Sequence, residues 1–313
     1  MTKTNIEPFA IWPDDRGEHI QAHGGGVIQL GDTWYWFGED RTRDMPAEVR
    51  GVACYSSKDL VNWEYRNRVF SVTAEELGLE RLVVERPKCF FNQKSGKYVL
   101  YMHIDDEPGP DQPRGYQVAE VGIAVCDTID GDYQFVRRFR PLGQESRDIG
   151  QFIDDDGSAY LIFESRPTGG FFIASLTEDY MDVAEEVAFI KAGIEGGAIV
   201  RYEGLYYLIG SQMTAWDPNP NKYTTAKSLS GPWSELRDIA PPETNTYLSQ
   251  STNLVKVTGT HKTTVLYLGD QWRPETQWDS RYLWMPLEIG NGHLELPKPC
   301  PWSIDVQTGE VSM

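Results

Sequence analysis

The stretch TWYWFGE (33–39) decides the fold, because segments of the same type return four more times along the chain. Each segment is a short run of β-branched and aromatic residues bounded by turn-forming residues, which is typical of a β-strand. The other copies are KYVLYMH (97–103), SAYLIFES (158–165), LYYLIGS (205–211) and TTVLYLGD (263–270). Successive copies lie 64, 61, 47 and 59 residues apart, counted between Tyr35, Val99, Tyr160, Tyr207 and Leu266.

A second strand type follows each aromatic run. Most of these segments contain a small residue and a serine, then a polar turn, then another strand. They are VACYSSKDLVNWEY (52–65), GIAVCDTIDGDYQF (122–135), FFIASLTEDYMDV (171–183), YTTAKSLSGPWSEL (223–236) and RYLWMPLEIGNGHLEL (281–296). Five copies of a unit of about four strands, at a period of about 40–60 residues, predict an all-β, five-bladed β-propeller. The alternative is a large β-sandwich, whose strands lack this long-period repetition. We expect a single domain over residues 1–313.

The composition restricts the class of ligand. The chain has 313 residues, a formal charge of −18, and 12% aromatic residues. Nucleic acids and anionic membranes are disfavoured as partners, because phosphate groups are bound by clustered positive charge. Many aromatic side chains on an acidic chain suit a sugar, whose C–H faces stack on aromatic rings. We therefore expect an oligosaccharide or polysaccharide ligand; the sequence does not indicate an oligomeric state.

The chain start and the cysteines give further expectations. The segment MTKTNIEPFAIWPDDRG contains no apolar stretch of signal-peptide length, and no later segment approaches the roughly 18 apolar residues of a membrane span. These features predict a cytoplasmic protein. The four cysteines form no CxxC pair, so there is no zinc motif. We expect no metal and no cofactor.

Three acidic residues occupy equivalent places ahead of the aromatic runs. Glu85 precedes the second run, Asp148 the third and Glu195 the fourth. Propellers bind ligands at the central axis, near the start of the innermost strands, so we expect all three side chains at one axis. The alternative for each residue is a local role, such as an ion pair of Glu85 with Arg86 or of Asp148 with Arg147.

A cluster of carboxyl groups in one cavity is the equipment of glycoside hydrolysis. One carboxylic acid donates a proton to the leaving oxygen, so its pKa has to be raised by burial and by its neighbours. In inverting enzymes a second group activates water on the opposite face of the sugar. The predicted arrangement therefore indicates a glycosidase.

Five longer segments together resemble glycoside hydrolase family 43, a family of five-bladed propellers, and within it the exo-β-1,3-galactanase (galactan 1,3-β-galactosidase) branch. They are QAHGGGVIQLGDTWYWFGED, VERPKCFFNQKSGKYVLYMHIDD, SRDIGQFIDDDGSAYLI, IEGGAIVRYEGLYYLIGSQMTAWDPNPNKY and SLSGPWSELRDIAPPETNTYLSQST. The resemblance extends from about Ile11 to Trp302. The ERPK–YMH and WDPNPNKY–GPW blocks are its most specific parts.

The resemblance implies a role for each matching residue. Glu195 matches the general acid of the branch, and Glu85 matches a residue that binds galactose at the cleavage subsite. Asp148 matches the residue that orients the sugar and tunes the acid. Gln250, in a Ser-Gln motif, matches a residue that holds or activates the attacking water, either as an ordinary amide or as the imidic tautomer. Glu39 matches a substrate contact.

The chain also departs from the pattern of the resembling family. The branch lacks the Asp base common in the family, and here that stretch surrounds His23. The acid is followed by Gly196 and Gly197, where the branch usually has Ala and Pro. A Thr contact of the branch corresponds to Met213, with Thr214 next to it. These differences leave the exact substrate open.

Three aromatic residues are further candidates for substrate contacts. Trp216 and Trp272 lie in predicted loops beside the site strands, and either could stack on a sugar ring. Tyr116 follows the second aromatic run and could reach the galactose. The alternative for each is ordinary packing in the core.

The expected activity is inverting, exo-acting hydrolysis of β-1,3-linked galactan or galacto-oligosaccharides from the non-reducing end. Two alternatives stay open at this point. One is an α-L-arabinofuranosidase or β-xylosidase of the same family. The other is a sugar-binding propeller without catalysis, which the missing base makes a serious candidate.

Overall fold

Five antiparallel sheets form the body of the computed structural model, which describes residues 3–46, 48–107 and 115–313. Blade 1 contains β1 (His23–Leu30), β2 (Thr33–Asp40), β3 (Val49–Ser57) and β4 (Glu64–Thr73). Blade 2 contains β5 (Val83–Asn92), β6 (Lys97–Asp105), β7 (Glu120–Cys126) and β8 (Gln134–Phe139). Blade 3 contains β9 (Arg147–Ile153), β10 (Ala159–Ser165), β11 (Gly170–Leu176) and β12 (Val183–Ile190). Blade 4 contains β13 (Ile194–Tyr202), β14 (Leu205–Gln212), β15 (Lys222–Ala226) and β16 (Arg237–Asp238). Blade 5 contains β17 (Gln250–Thr258), β18 (Thr263–Gln271) and β19 (Arg281–Pro286).

The first strand of each blade lies innermost, and these five strands close a ring. Strand β1 contacts β5, β5 contacts β9, β9 contacts β13, β13 contacts β17, and β17 returns to β1. The prediction of an all-β, five-bladed propeller is therefore confirmed, and the sandwich alternative is wrong. The five aromatic runs form the second strand of each blade, so they are buried between neighbouring blades. That the single domain extends over residues 1–313 stays a prediction.

Short elements complete the chain. Two hairpins follow blade 5, formed by β20 (Glu288–Gly290) with β21 (His293–Glu295) and by β22 (Ser303–Asp305) with β23 (Glu310–Ser312). The helical segments are single turns or little more, at Pro141–Gly143, Pro242–Thr244, Asn245–Leu248 and Pro274–Asp279. Within the described part of the chain, no helix is long and apolar enough to cross a membrane.

The N-terminal segment fastens the ring next to blade 5. Backbone hydrogen bonds join Ile6 to Trp302 in both directions, and the Phe9 N–H donates to the carbonyl of Tyr282 on β19. Because blade 5 has three strands, the bond from Phe9 uses a backbone carbonyl of its outer strand that a fourth strand could otherwise bond.

Aromatic side chains pack the junction between blades 1 and 5. The ring centroid of Trp36 lies 4.6 Å from that of Trp284, 4.8 Å from that of Tyr282, 5.3 Å from that of Trp63 and 6.3 Å from that of Trp12. All five side chains are buried. Tilted and edge-to-face pairs of this kind add to the free energy gained from burial alone.

We expect Trp36→Ala to lower the free energy of unfolding by about 3–5 kcal/mol, because the indole is buried in the centre of this cluster. Urea unfolding followed by circular dichroism measures the change. Phe135→Ala is the matched control, since that ring is 37% exposed on the outer strand of blade 2. A loss below about 1 kcal/mol for Trp36→Ala would show that the cluster does not hold the junction.

Candidate active site

A pocket opens at the axis where the innermost strands begin. Its volume is about 260 Å³. Eight of the ten predicted site residues line it: Glu39, Glu85, Tyr116, Asp148, Glu195, Trp216, Gln250 and Trp272. The other lining residues are Arg86, Arg166 and Ala215. All five blades therefore contribute to one cavity.

A β-bulge near the start of the inner strand shapes most of these positions. The pairing register shifts between His23 and Gly26 on β1, and at the equivalent places on β5, β13 and β17. Residues with positive φ mark these places, namely Gly24 (57°), Arg86 (51°) and Gly196 (62°), and in blade 3 Asp148 (29°). A bulge bends its strand and re-aims the side chains beside it. In this molecule the bulges lie where the strands supply residues to the pocket.

Steric contacts explain why both residues after Glu195 are glycine. Gly196 has a φ of 62°, and a Cβ there would lie 2.8 Å from the carbonyl oxygen of Ser251. A Cβ on Gly197 would lie 1.8 Å from the ring of Phe171. The glycines therefore let blade 4 approach blades 3 and 5 closely beside the acid.

Arg86 is the cation at the centre of the pocket floor. Its Nη2 donates to Asp148 Oδ2 (2.8 Å) and to Gln250 Oε1 (2.6 Å), and its Nη1 donates to the carbonyl of Ser251 (3.0 Å). Its backbone N–H donates to Glu39 Oε1 (3.1 Å). Arg86 of blade 2 thus bonds blades 3 and 5 through its side chain and blade 1 through its backbone.

The local alternatives for two of the acidic residues are wrong. Asp148 pairs with Arg86 of blade 2 and not with Arg147, whose Nη1 donates to Glu145 at 2.7 Å. Glu85 pairs with Arg41 and His103 and not with its neighbour Arg86.

Glu195 has the environment of a proton donor. Its side chain lies in the pocket and is buried. Burial raises its pKa to about 9, and the negative charges of Asp148 and Glu164 add to the shift. At neutral pH this carboxyl group is therefore protonated and able to give up a proton.

Gln250 is fixed by four hydrogen bonds. Its Oε1 accepts from Arg86 Nη2 and from Trp272 Nε1 (2.8 Å), and its Nε2 donates to Glu195 Oε1 (3.2 Å) and to Ser211 Oγ (3.0 Å). Arginine and the indole are donors only, so the atom facing them has to be an acceptor oxygen. An imidic tautomer with its hydroxyl group at this oxygen would turn an O–H toward two donors. The arrangement therefore holds Gln250 as an ordinary amide that orients Glu195.

Glu85 is held as an anion. Its Oε1 accepts from the Tyr116 hydroxyl (3.0 Å), and its Oε2 lies 3.4 Å from His103 Nδ1. Burial alone would raise the pKa of Glu85, but the neighbouring His103 and Arg41 bring it below its usual value. Burial opposes the charge of His103, yet the carboxylates of Asp105 and Glu85 raise its pKa to about 9.

Glu39 approaches the pocket from blade 1. Its Oε2 accepts hydrogen bonds from both Nε (3.0 Å) and Nη2 (2.5 Å) of Arg41. Two N–H groups of one guanidinium therefore donate to one carboxylate oxygen, and such charge-assisted hydrogen bonds are strong. Burial raises the pKa of Glu39, while Arg41 opposes that shift. A Cβ at Gly24 would lie 2.2 Å from Glu39 Oε1, so this approach requires glycine there.

One group of described side chains has ligand atoms close enough for a metal ion. Atoms of Glu85, His103 and Asp148 all lie within 4.8 Å of one another. Both ring nitrogens of His103 face carboxylates, Nε2 at 2.9 Å from Asp105 Oδ2 and Nδ1 at 3.4 Å from Glu85 Oε2. Within the group Glu85 is paired with His103, while Asp148 is paired with Arg86 from outside it, and the carboxylate oxygens suit the hydroxyl groups of a sugar.

Two predicted contacts, Met213 and Thr214, lie outside the pocket lining, and their contact with substrate stays a prediction. Met213 and Thr214 are exposed in the loop after β14, and Ala215 and Trp216 from the same loop line the pocket instead. The Thr214 hydroxyl donates to the carbonyl of Asp217 (2.6 Å), so it fixes the loop.

Sequence reasoning missed two pocket arginines. It had treated Arg86 as a neighbour for Glu85, and it gave no role to Arg166. The ion pair of Arg166 with Glu164 is local, but nothing in the local sequence places Arg166 beside Tyr116 and Glu195, which belong to other blades. The sequence suggested that Trp272 stacks on a sugar ring. The structure shows in addition that the indole N–H of Trp272 donates a hydrogen bond to Gln250.

Glu164 is a buried carboxyl group beneath the pocket. It is 1% exposed, and neither of its oxygens has a hydrogen-bond partner among the described residues. Its nearest cation is Arg166, whose Nε lies 3.5 Å from Glu164 Oε1. Burial raises the pKa of Glu164 to about 7. Above that pH its negative charge makes ionisation of Glu195 harder.

Comparisons with known proteins agree with this geometry. The sequence profile described as "Glycosyl hydrolases family 43" matches residues 26–273. An exo-β-1,3-galactanase from Phanerochaete chrysosporium, solved with β-1,3-galactotriose, is 39% identical; the match covers 99% of this chain and 70% of that one, with a TM-score of 0.90. An exo-β-1,3-galactanase from Clostridium thermocellum is 35% identical over 99% of this chain and 68% of that one, with a TM-score of 0.86.

A curated relative with a different activity is more distant. An extracellular exo-α-(1→5)-L-arabinofuranosidase from Cellvibrio japonicus is 25% identical over 230 residues. The match covers 62% of this chain and 59% of that protein, so the chain spans less than two thirds of that relative's length.

Replacing Glu164 with Gln is expected to lower the pKa of Glu195, because a neutral amide no longer opposes ionisation of the acid. A ¹³C NMR titration of glutamate carboxyl carbons measures this pKa, with the Glu195 signal assigned by its loss in Glu195→Gln. Glu185→Gln, on the exposed outer strand of blade 3, makes the same change in net charge and is the control. A pKa that stays constant or rises in Glu164→Gln would contradict the coupling.

Proposed function

The chain belongs to glycosyl hydrolase family 43, as the sequence resemblance predicted, and on this premise we propose that it is an inverting, exo-acting β-1,3-galactanase. It removes galactose from the non-reducing end of β-1,3-linked galactan or galacto-oligosaccharides. The observation that carries this proposal is Glu195, a pocket carboxyl group with a pKa raised to about 9 and an orientation set by Gln250. The similarity to exo-β-1,3-galactanases supports the choice of sugar.

Glu195 acts as the general acid. Its Oε1 accepts a hydrogen bond from Gln250 Nε2, so Oε2 is the oxygen left to carry the proton. A protonated acid at neutral pH can donate to the glycosidic oxygen as the bond breaks. Once ionised, the carboxylate lies near Arg86, which favours the charge that forms.

Glu85, Asp148 and Glu39 bind the terminal sugar. Each is an acceptor for sugar hydroxyl groups and is held in place by a cation, His103 for Glu85, Arg86 for Asp148 and Arg41 for Glu39. A pocket of about 260 Å³ lies just below the usual range of ligand-site volumes, about 300–1,000 Å³. That size suits a single terminal sugar unit, which is the requirement of an exo-acting enzyme.

Gln250 acts by position and not as a base. An amide has no basic lone pair at neutral pH, and this amide uses its oxygen and both N–H groups in fixed contacts. Its role toward the attacking water, expected from the resemblance, stays a prediction. In an inverting reaction that water attacks from the face of the sugar opposite the acid.

One alternative has a specific observation behind it. The relative from Cellvibrio japonicus is named an arabinofuranosidase, so an arabinofuranoside is the second substrate to test. A propeller that only binds sugar has no use for a carboxyl group with a raised pKa, which disfavours the non-catalytic reading. The cytoplasmic location stays a prediction.

We expect release of α-galactose from β-1,3-galactobiose and β-1,3-galactotriose, because inversion turns a β-linkage into an α-product. Proton NMR of the fresh product distinguishes the anomers. Glu195→Gln should lower kcat by about 10²–10⁴-fold while galactobiose binding persists in calorimetry. β-Galactose as the first product would refute inversion. Hydrolysis of an arabinofuranoside or xyloside panel without galactose release would favour the alternative.

Trp272→Phe removes the indole N–H that donates to Gln250 Oε1 and keeps an aromatic ring in the pocket. We expect kcat to fall by about tenfold with a smaller change in KM, since the loosened amide orients Glu195 less well. Steady-state kinetics on galactobiose separates the two parameters. A rise in KM with kcat unchanged would show that Trp272 only stacks on the sugar.

A further inference from the structure

Arg166 is a pocket residue that the proposed mechanism leaves without a role. It follows β10 at the hairpin to β11, on blade 3, and lines the pocket together with Glu195. Its side chain is 48% exposed, and among the described residues its guanidinium makes no hydrogen bond and one ion pair, with Glu164. A guanidinium has five N–H donors in a fixed plane, so several of them are available to a ligand.

The hairpin and the buried acid hold this side chain over the pocket. The N–H of Gly169 donates to the carbonyls of Ser165 (3.0 Å) and Arg166 (3.1 Å), which closes the turn. Glu164 Oε1 lies 3.5 Å from Arg166 Nε and has no hydrogen bond of its own, so Arg166 is the cation that its charge can attract. An arginine anchored at its base by a buried carboxylate loses less freedom when its outer donors bind.

The position of Arg166 relative to the acid indicates which part of the substrate it meets. Its guanidinium carbon lies 6.0 Å from the ring centroid of Tyr116 in blade 2, and its charge acts on Glu195 in blade 4. The glycosidic oxygen has to lie beside Glu195. The acceptors for the terminal sugar, with side-chain exposures of 2%, 11% and 15%, lie deep in the pocket; they are Glu39, Glu85 and Asp148. Arg166, at 48%, lies at the solvent side of the same pocket. The sugar beyond the glycosidic oxygen therefore extends past the blade 3 hairpin.

We propose that Arg166 binds the sugar unit on the leaving-group side, donating hydrogen bonds to its hydroxyl oxygens while Glu164 holds the guanidinium in place. This inference rests on the proposed function, since it requires Glu195 to be the acid. If Arg166 makes this contact, it strengthens the binding of a disaccharide relative to the binding of a single galactose. The ligand class is a neutral sugar linked through its own oxygen to the terminal galactose.

Calorimetry in the Glu195→Gln background tests this without turnover and without a change in acid strength. We measure the dissociation constants of β-1,3-galactobiose and galactose for Glu195→Gln alone and combined with Arg166→Ala. The expected result is that Arg166→Ala weakens galactobiose binding about tenfold more than galactose binding. Equal weakening of both sugars, or no weakening of either, would overturn the proposal.

Two further variants keep the test interpretable. Arg166→Lys retains the ion pair with Glu164 but has a single ammonium donor group, so galactobiose affinity should fall to a value between those of the other two proteins. Arg66→Ala is the matched control. Arg66 lies on β4, the outer strand of blade 1, is 42% exposed and forms an ion pair with Asp130. Weakening by Arg66→Ala equal to that by Arg166→Ala would count against a local contact. If the Glu195→Gln protein binds neither sugar, the proposed function fails first, and the role of Arg166 fails with it.

Discussion

The guanidinium of Arg86 is the contact on which the rest of the site depends. It is buried, and it donates to Asp148 in blade 3 and to Gln250 and the Ser251 carbonyl in blade 5, while its own backbone bonds Glu39 in blade 1. Burying a charged group costs free energy unless its N–H groups donate hydrogen bonds to acceptor oxygens. Each of these blades therefore has to place an oxygen atom near Arg86 at the axis. The contacts that hold these blades together at the axis are therefore also the contacts that assemble the pocket.

Geometry at the ends of the inner strands makes that convergence possible. A regular strand sends alternate side chains to opposite faces, which would turn residues away from the axis. The bulges and the positive φ values at Gly24, Arg86, Asp148 and Gly196 break that alternation near the pocket. Two of these four residues are not glycine, and their unusual conformation is held by the Arg86–Asp148 ion pair between them. Backbone strain at Arg86 and Asp148 thus occurs at residues that line the pocket.

The sequence predicted the repeated features of the fold, namely the blades and the positions at the start of their inner strands. It did not show the side-chain contacts in segments that do not repeat. The aromatic runs located the five blades, and their register located Glu85, Asp148 and Glu195 at one axis. The sequence did not show that Ala215 and Trp216, and not Met213 and Thr214, line the pocket, because the loop after β14 has no periodicity that indicates which side chains face inward. It also missed what Arg86 bonds, since the partners of a long side chain are set by which blades become neighbours and not by adjacent residues. A pattern along the chain shows which strands meet, but it does not show which atoms do.

The distribution of charge explains why Glu195, among the carboxyl groups of the pocket, is the one suited to donate a proton. Glu39 and Glu85 are paired with Arg41 and His103, and Asp148 is paired with Arg86, so these three have cations as direct partners. Glu195 has the neutral amide of Gln250 as its hydrogen-bond partner, and Asp148 and Glu164 oppose its ionisation. In a glycosidase that used a carboxylate where Gln250 stands, a further negative charge would raise the pKa of the acid still more. The amide thus orients Glu195 without adding a charge, and it leaves Arg86 near enough to stabilise the carboxylate once the proton has gone.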